Sequence, residues 1–109
     1  MNTISSTGGT QSMRRALGLL RVLAQHQEEG IDLQGVMACT GLERSTAHRL
    51  LSCLLEERFA ERDPASRKYR LGVDSMQLGF ASLRHTPLLD ALRPFAQKLA
   101  RLSDDTVFL

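Results

Sequence analysis

The stretch 41–57, G-L-E-R-S-T-A-H-R-L-L-S-C-L-L-E-E, leaves this chain little freedom in how it folds. At helical spacing Ala47, Leu50, Leu51, Leu54 and Leu55 share one face, the i, i+3, i+4, i+7 pattern of an amphipathic helix. The opposite face, towards the N-terminal end, carries Arg44, Ser45, His48, Arg49 and Ser52. An apolar back with a front of arginine, hydroxyl and imidazole suits a helix laid in the major groove of DNA. Arg pairs bidentately with guanine there, while Ser, Thr and His reach base edges or phosphates. The same pattern also describes an ordinary amphipathic helix with a solvated face. The flanking segments decide between the two.

Upstream, residues 1–11 are polar and rich in Ser, Thr and Gly, which predicts a flexible arm. Ser12 suits the N-cap of a first helix over about 13–27. Met13, Ala16, Leu17, Leu20, Leu23 and Ala24 recur there at helical spacing and predict its buried face. Leu19 and Val22 fall off that stripe and are free for a second contact, such as a dimer partner. Gly30 ends this region, and Asp32 is an N-cap type residue for a short helix over about 33–39. Gly35 weakens that helix, so Leu33, Val36 and Met37 must hold it by packing. Gly41 then stands where a tight turn between two helices needs positive φ. Helix, short turn with Gly, helix is the helix-turn-helix arrangement, with about 44–57 as its second, recognition helix.

Downstream the period changes from helical to alternating. Residues 59–62 (F-A-E-R) and 68–71 (K-Y-R-L) flank the turn residues D-P-A-S-R, which predicts a short hairpin. Phe59, Tyr69 and Leu71 are expected to face the core while Arg67, Lys68 and Arg70 point outward. Gly72 and Val73 close the hairpin, and Asp74 is expected to cap a helix over about 75–84. A last helix over about 87–102 contains Pro94, which should kink or split it. Residues 103–105 read as a turn and 106–109 as the start of a strand. The expected fold class is therefore mostly α with a small β-hairpin, a winged helix-turn-helix followed by linker helices. Its divisions are a flexible arm at 1–11, a winged helix-turn-helix DNA-binding domain at 12–72, a linker helix at 73–86, and from 87 to 109 the start of a truncated second domain.

The formal net charge of +2 offers no bulk electrostatic argument for nucleic acid. Its distribution says more: residues 1–27 hold three arginines and no acid, and residues 28–32 hold three acids and no base. No apolar run approaches the ~20 residues of a membrane span. The N-terminus has neither the basic start nor the apolar core of a secretory signal. Cys39 and Cys53 have no Cys or His at metal-ligand spacing, so no metal or other cofactor is expected. Both read as small buried side chains in a reducing cytoplasm. His26, His48 and His85 are scattered, and no phosphate-cradling glycine motif occurs, so no enzyme is expected.

The runs R-R-A-L-G-L-L-R-V-L-A at 14–24, T-G-L-E-R-S-T-A-H-R-L-L at 40–51 and F-A-E-R-D-P-A-S-R-K-Y-R-L-G at 59–72 resemble the N-terminal half of IclR-family bacterial transcription regulators. The resemblance runs over about 13–109. It implies sequence-specific binding of double-stranded DNA at a palindromic or repeated operator, by a homodimer or higher oligomer. It also implies a small-molecule effector, bound by a C-terminal domain of which this chain would hold only the opening. Members often have Pro or Ser where Glu43 stands. An acid there suits the helix dipole but repels phosphate, so DNA contact is expected elsewhere on the helix.

The DNA-contacting residues so implied are Arg44, Ser45, Thr46, His48 and Arg49 on the recognition helix, with Arg44 and Arg49 foremost. Thr46 could instead cap the helix, and His48 could be merely solvated. Arg15 would meet the DNA backbone, and Arg67, Lys68 and Arg70 would form a wing on the backbone or in the minor groove. The alternative function is a winged helix used only for protein assembly. Its mark would be an apolar or acidic exposed face on the second helix, where this chain has arginine and hydroxyls.

Overall fold

In a computed structural model, which describes residues 9–84 and 86–102, the elements follow as α1 (Gln11–Gln25), α2 (Leu33–Thr40), α3 (Arg44–Glu56), β1 (Ala60–Arg62), β2 (Tyr69–Leu71), α4 (Val73–Ser82) and α5 (Thr86–Leu102). Most of the arm at 1–11, the turn at 103–105 and the strand at 106–109 lie outside the described residues; Gln11 opens α1. The chain divides into two compact units, Met1–Met76 and Gln77–Leu109.

The first unit is built around α3. Ala47, Leu50, Leu51 and Leu54 are buried, with Leu19 and Leu23 of α1, Ile31, Val36 of α2, and Ala60 and Tyr69 of the hairpin around them. Full burial of one Leu side chain contributes about 1.5–3 kcal/mol, so Leu19, Leu23 and Leu51 are major contributors to this unit. Asp32 caps α2 as its side chain accepts from the Gly35 N–H at 2.8 Å. Gly41 takes φ of +75° after α2, where a Cβ would be strained. The hydroxyl of Thr40 donates to the Val36 carbonyl (2.8 Å) and accepts from the Leu42 N–H (3.2 Å), which ties the turn to α2.

The hairpin pairs Ala60 with Leu71, Glu61 with Arg70 and Arg62 with Tyr69. On the other edge of β2, Ile31 exchanges two backbone bonds with Tyr69, at 3.1 and 2.7 Å. The wing is thereby anchored to the α1–α2 connection through its central strand. Gly72 packs so closely that a Cβ would lie 2.6 Å from the Arg58 carbonyl oxygen. A Cβ on Gly18, inside α1, would meet nothing within 4 Å. Gly72→Ala should therefore lower the thermal unfolding midpoint, whereas Gly18→Ala should raise stability by about 0.5–1 kcal/mol. Equal midpoints for the two variants would contradict the close packing at Gly72.

Several expectations need correction. In α1, Leu19 is fully buried, while Met13 and Leu17 are 66% and 44% exposed and Ala24 is exposed. Apolar residues cover so much of this helix that periodicity could not choose the inward arc; packing against α2, α3 and β2 chose Leu19 and Leu23. Cys39 and Cys53 are both exposed free thiols, because each sits on the outer side of its helix. The helix after the hairpin begins at Val73, two residues early, with the N–H groups of Ser75 and Met76 donating to the Gly72 carbonyl. In the second unit α5 is one helix that runs through Pro94 without splitting.

Candidate nucleic-acid interface

The buried residues of α3 set the direction of all the others. With Ala47, Leu50, Leu51 and Leu54 turned inward, Ser45 and Arg49 project outward one turn apart, and both are exposed. Arg44 and His48, also one turn apart, sit on the flank nearer the wing. Thr46 is half-buried on the other flank. No side-chain hydrogen bond from Glu43 caps the helix.

Between α3, the start of α2 and the wing lies an open groove of about 510 Å³. Arg44 and His48 line one side and Arg62, Arg67 and Tyr69 the other, with Asp32 and Gln34 of the α2 region beside them. The Arg44 guanidinium donates through Nη2 to Gln34 Oε1 at 3.1 Å. Asp32 is the one carboxylate on the groove wall, and its Oδ1 is engaged by the Gly35 N–H. The balance of formal charge on the groove is therefore positive.

The wing tip is ordered by its own turn. Asp63 accepts from the Ser66 N–H at 2.7 Å, and this bond holds its carboxyl below the ordinary carboxylate pKa. The Arg67 N–H closes the turn on the Asp63 carbonyl (2.7 Å), with Arg67 at φ of +64°. Arg67 is exposed and faces the groove; Lys68 is half-buried.

Arg70 departs from the expectation that it points outward as part of the wing's basic edge. Its Nε donates to the Gln27 carbonyl (3.0 Å) and its Nη2 to the Glu28 carbonyl (3.1 Å). The side chain of Gln27 in turn accepts from the Leu71 N–H at 2.8 Å. Arg70 is a staple between β2 and the end of the α1 region, with two of its five donors turned towards carbonyls. Arg15 is exposed but stands apart from the groove, in a shallow depression shared with Val22, Cys39, Thr40 and Leu42.

Two groove residues escaped the sequence reading. Gln34 meets Arg44 across ten residues, and no local signal marks that contact. Arg62 was legible in principle. Once the turn is closed between Asp63 and Lys68, antiparallel pairing places Arg62 opposite Tyr69 and on the same face.

The IclR helix-turn-helix domain model matches residues 12–64. The glycerol operon regulatory protein of Streptomyces coelicolor is 36% identical over 99 residues, covering 91% of this chain and 39% of that protein. The HTH-type transcriptional regulator TtgV of Pseudomonas putida is 32% identical over 106 residues, covering 97% and 40% respectively. The crystal structure of an IclR family transcriptional regulator from Brucella abortus superposes with a TM-score of 0.63 at 25% identity, covering 91% of this chain and 38% of that one. The chain thus spans about two fifths of the length of these relatives.

Proposed function

The chain belongs to the IclR family of helix-turn-helix transcription regulators, and on that footing we propose that α3 lies in the major groove of an operator with the wing over the adjoining backbone. Arg44 and Arg49 are its principal DNA contacts, supported by Ser45, Thr46 and His48. Arg67 and Lys68 follow the backbone from the wing, and Arg15 meets it from the start of α1. The observation that carries this reading is the groove itself, where Arg44, His48 and Arg67 converge beside a single engaged carboxylate. Selection from a random duplex library tests it: a recurrent motif is expected, with binding that weakens as salt rises. Recovery of unselected sequences only, with no dependence on salt, would favour the assembly module.

The regulator works in this reading as a cytoplasmic homodimer on two related half-sites, with an effector-binding domain following residue 87. No described helix is long and apolar enough to cross a membrane. A single helix-turn-helix reads few base pairs, so pairing on half-sites about one helical turn apart supplies specificity. The exposed Met13 and Leu17 of α1 offer apolar surface for a second copy. This reverses part of the earlier assignment, since Leu19 is needed for the core. Leu17→Glu should shift sedimentation towards monomer while the fold survives, and Leu19→Glu should unfold the unit. A concentration-independent monomer in the unaltered protein would sink the dimer.

A further inference from the structure

We propose that Arg62 is a DNA phosphate-binding residue, presented to the backbone by stacking on Tyr69; the proposal rests on the DNA-binding reading above. A helix in the major groove and a wing reaching towards the next minor groove must straddle the sugar-phosphate ridge between them. The cations on the walls between α3 and the wing are therefore the ones that meet phosphate. Those walls carry Arg62 together with Arg44 and Arg67, and they do not include Arg70.

The placement of Arg62 follows from the ladder. Ala60, Arg62, Tyr69 and Leu71 share one face of the hairpin, and Ala60 and Tyr69 are buried on it. Arg62 occupies the last pair before the turn, where that face has passed the edge of the core, and its side chain is exposed. Its guanidinium carbon lies 5.3 Å from the centroid of the Tyr69 ring, within cation–π range. Tyr69 is 2% exposed, its backbone N–H and carbonyl are both bonded to Ile31, and it stands opposite Arg62 in the ladder, so the ring is a fixed platform. A stacked guanidinium keeps its in-plane N–H donors free for a bidentate phosphate contact. No carboxylate forms an ion pair with it among the described residues.

The test compares Arg62→Ala, Arg62→Lys and Arg70→Ala with the unaltered chain, on random-sequence duplex DNA across a salt series. Arg62→Ala should flatten the slope of log affinity against log salt by about 0.9, the value of one lost phosphate contact, and weaken binding roughly tenfold at 0.1 M salt. The loss should be the same for all sequences, since phosphate carries no base information. Arg62→Lys should keep the slope but bind more weakly, because the charge remains and the stacked fork does not. Arg70→Ala should lower the unfolding midpoint and leave the slope alone. An unaltered slope in Arg62→Ala, with the parent clearly salt-dependent, overturns the proposal while leaving DNA binding intact. So does a slope lost in Arg70→Ala instead. A parent that binds without salt dependence would instead fault the DNA-binding reading itself.

Discussion

Arg44→Ala is expected to weaken binding to a selected operator by about 1–3 kcal/mol, roughly five- to 150-fold, with little change in folding stability. The side chain is exposed, and its one hydrogen bond is to the equally exposed Gln34, so its removal leaves no buried group unsatisfied. The kind of loss distinguishes two roles. An arginine that reads guanine relaxes preference at one operator position, whereas one that grips phosphate weakens every sequence alike. Gln34 bears on this outcome: by accepting from Nη2 it narrows the conformations of Arg44 before DNA arrives. Gln34→Ala should cost less than Arg44→Ala and should add nothing once Arg44 is gone. Competition binding on point-mutated operators reads both effects. If Arg44→Ala and Arg49→Ala each bind the selected operator as the parent does, α3 is not the recognition helix.

Leu51→Ala should destabilise the first unit by about 2–5 kcal/mol, against a total of about 5–15 kcal/mol for an ordinary domain. Leu51 is fully buried where α3 meets the rest of the core, and its truncation leaves a cavity among residues held by several elements. The neighbouring Cys53, exposed on the same helix, provides the contrast, and Cys53→Ala should stay within about 0.5 kcal/mol of the parent. Urea unfolding monitored by far-ultraviolet circular dichroism measures both, with an unchanged m-value showing that the denatured state is comparable. DNA affinity per folded molecule should be retained in Leu51→Ala at low temperature, since the outer face of α3 is untouched. A loss below about 1 kcal/mol would mean that α3 is packed differently.

What the sequence determined by itself is local in origin. The apolar residues of α3 are spaced so that only one inward face is available, and that alone sends Ser45 and Arg49 outward. Asp32 and Gly41 mark the ends of α2 because a cap and a positive φ are demands of single positions. The alternating runs on either side of D-P-A-S-R mark the hairpin for the same reason. Tertiary structure decided whatever local pattern left degenerate. On α1 apolar residues spread over too much of the surface, so Leu19 turned inward and Leu17 outward only when α2, α3 and β2 closed around the helix. On the wing, Arg62, Arg67 and Arg70 are alike in charge. They part company because strand register puts Arg62 over Tyr69, while the end of the α1 region offers Arg70 the carbonyls of Gln27 and Glu28. An arginine's role depends on the acceptors within its reach, and those acceptors come from segments more than forty residues away in the chain.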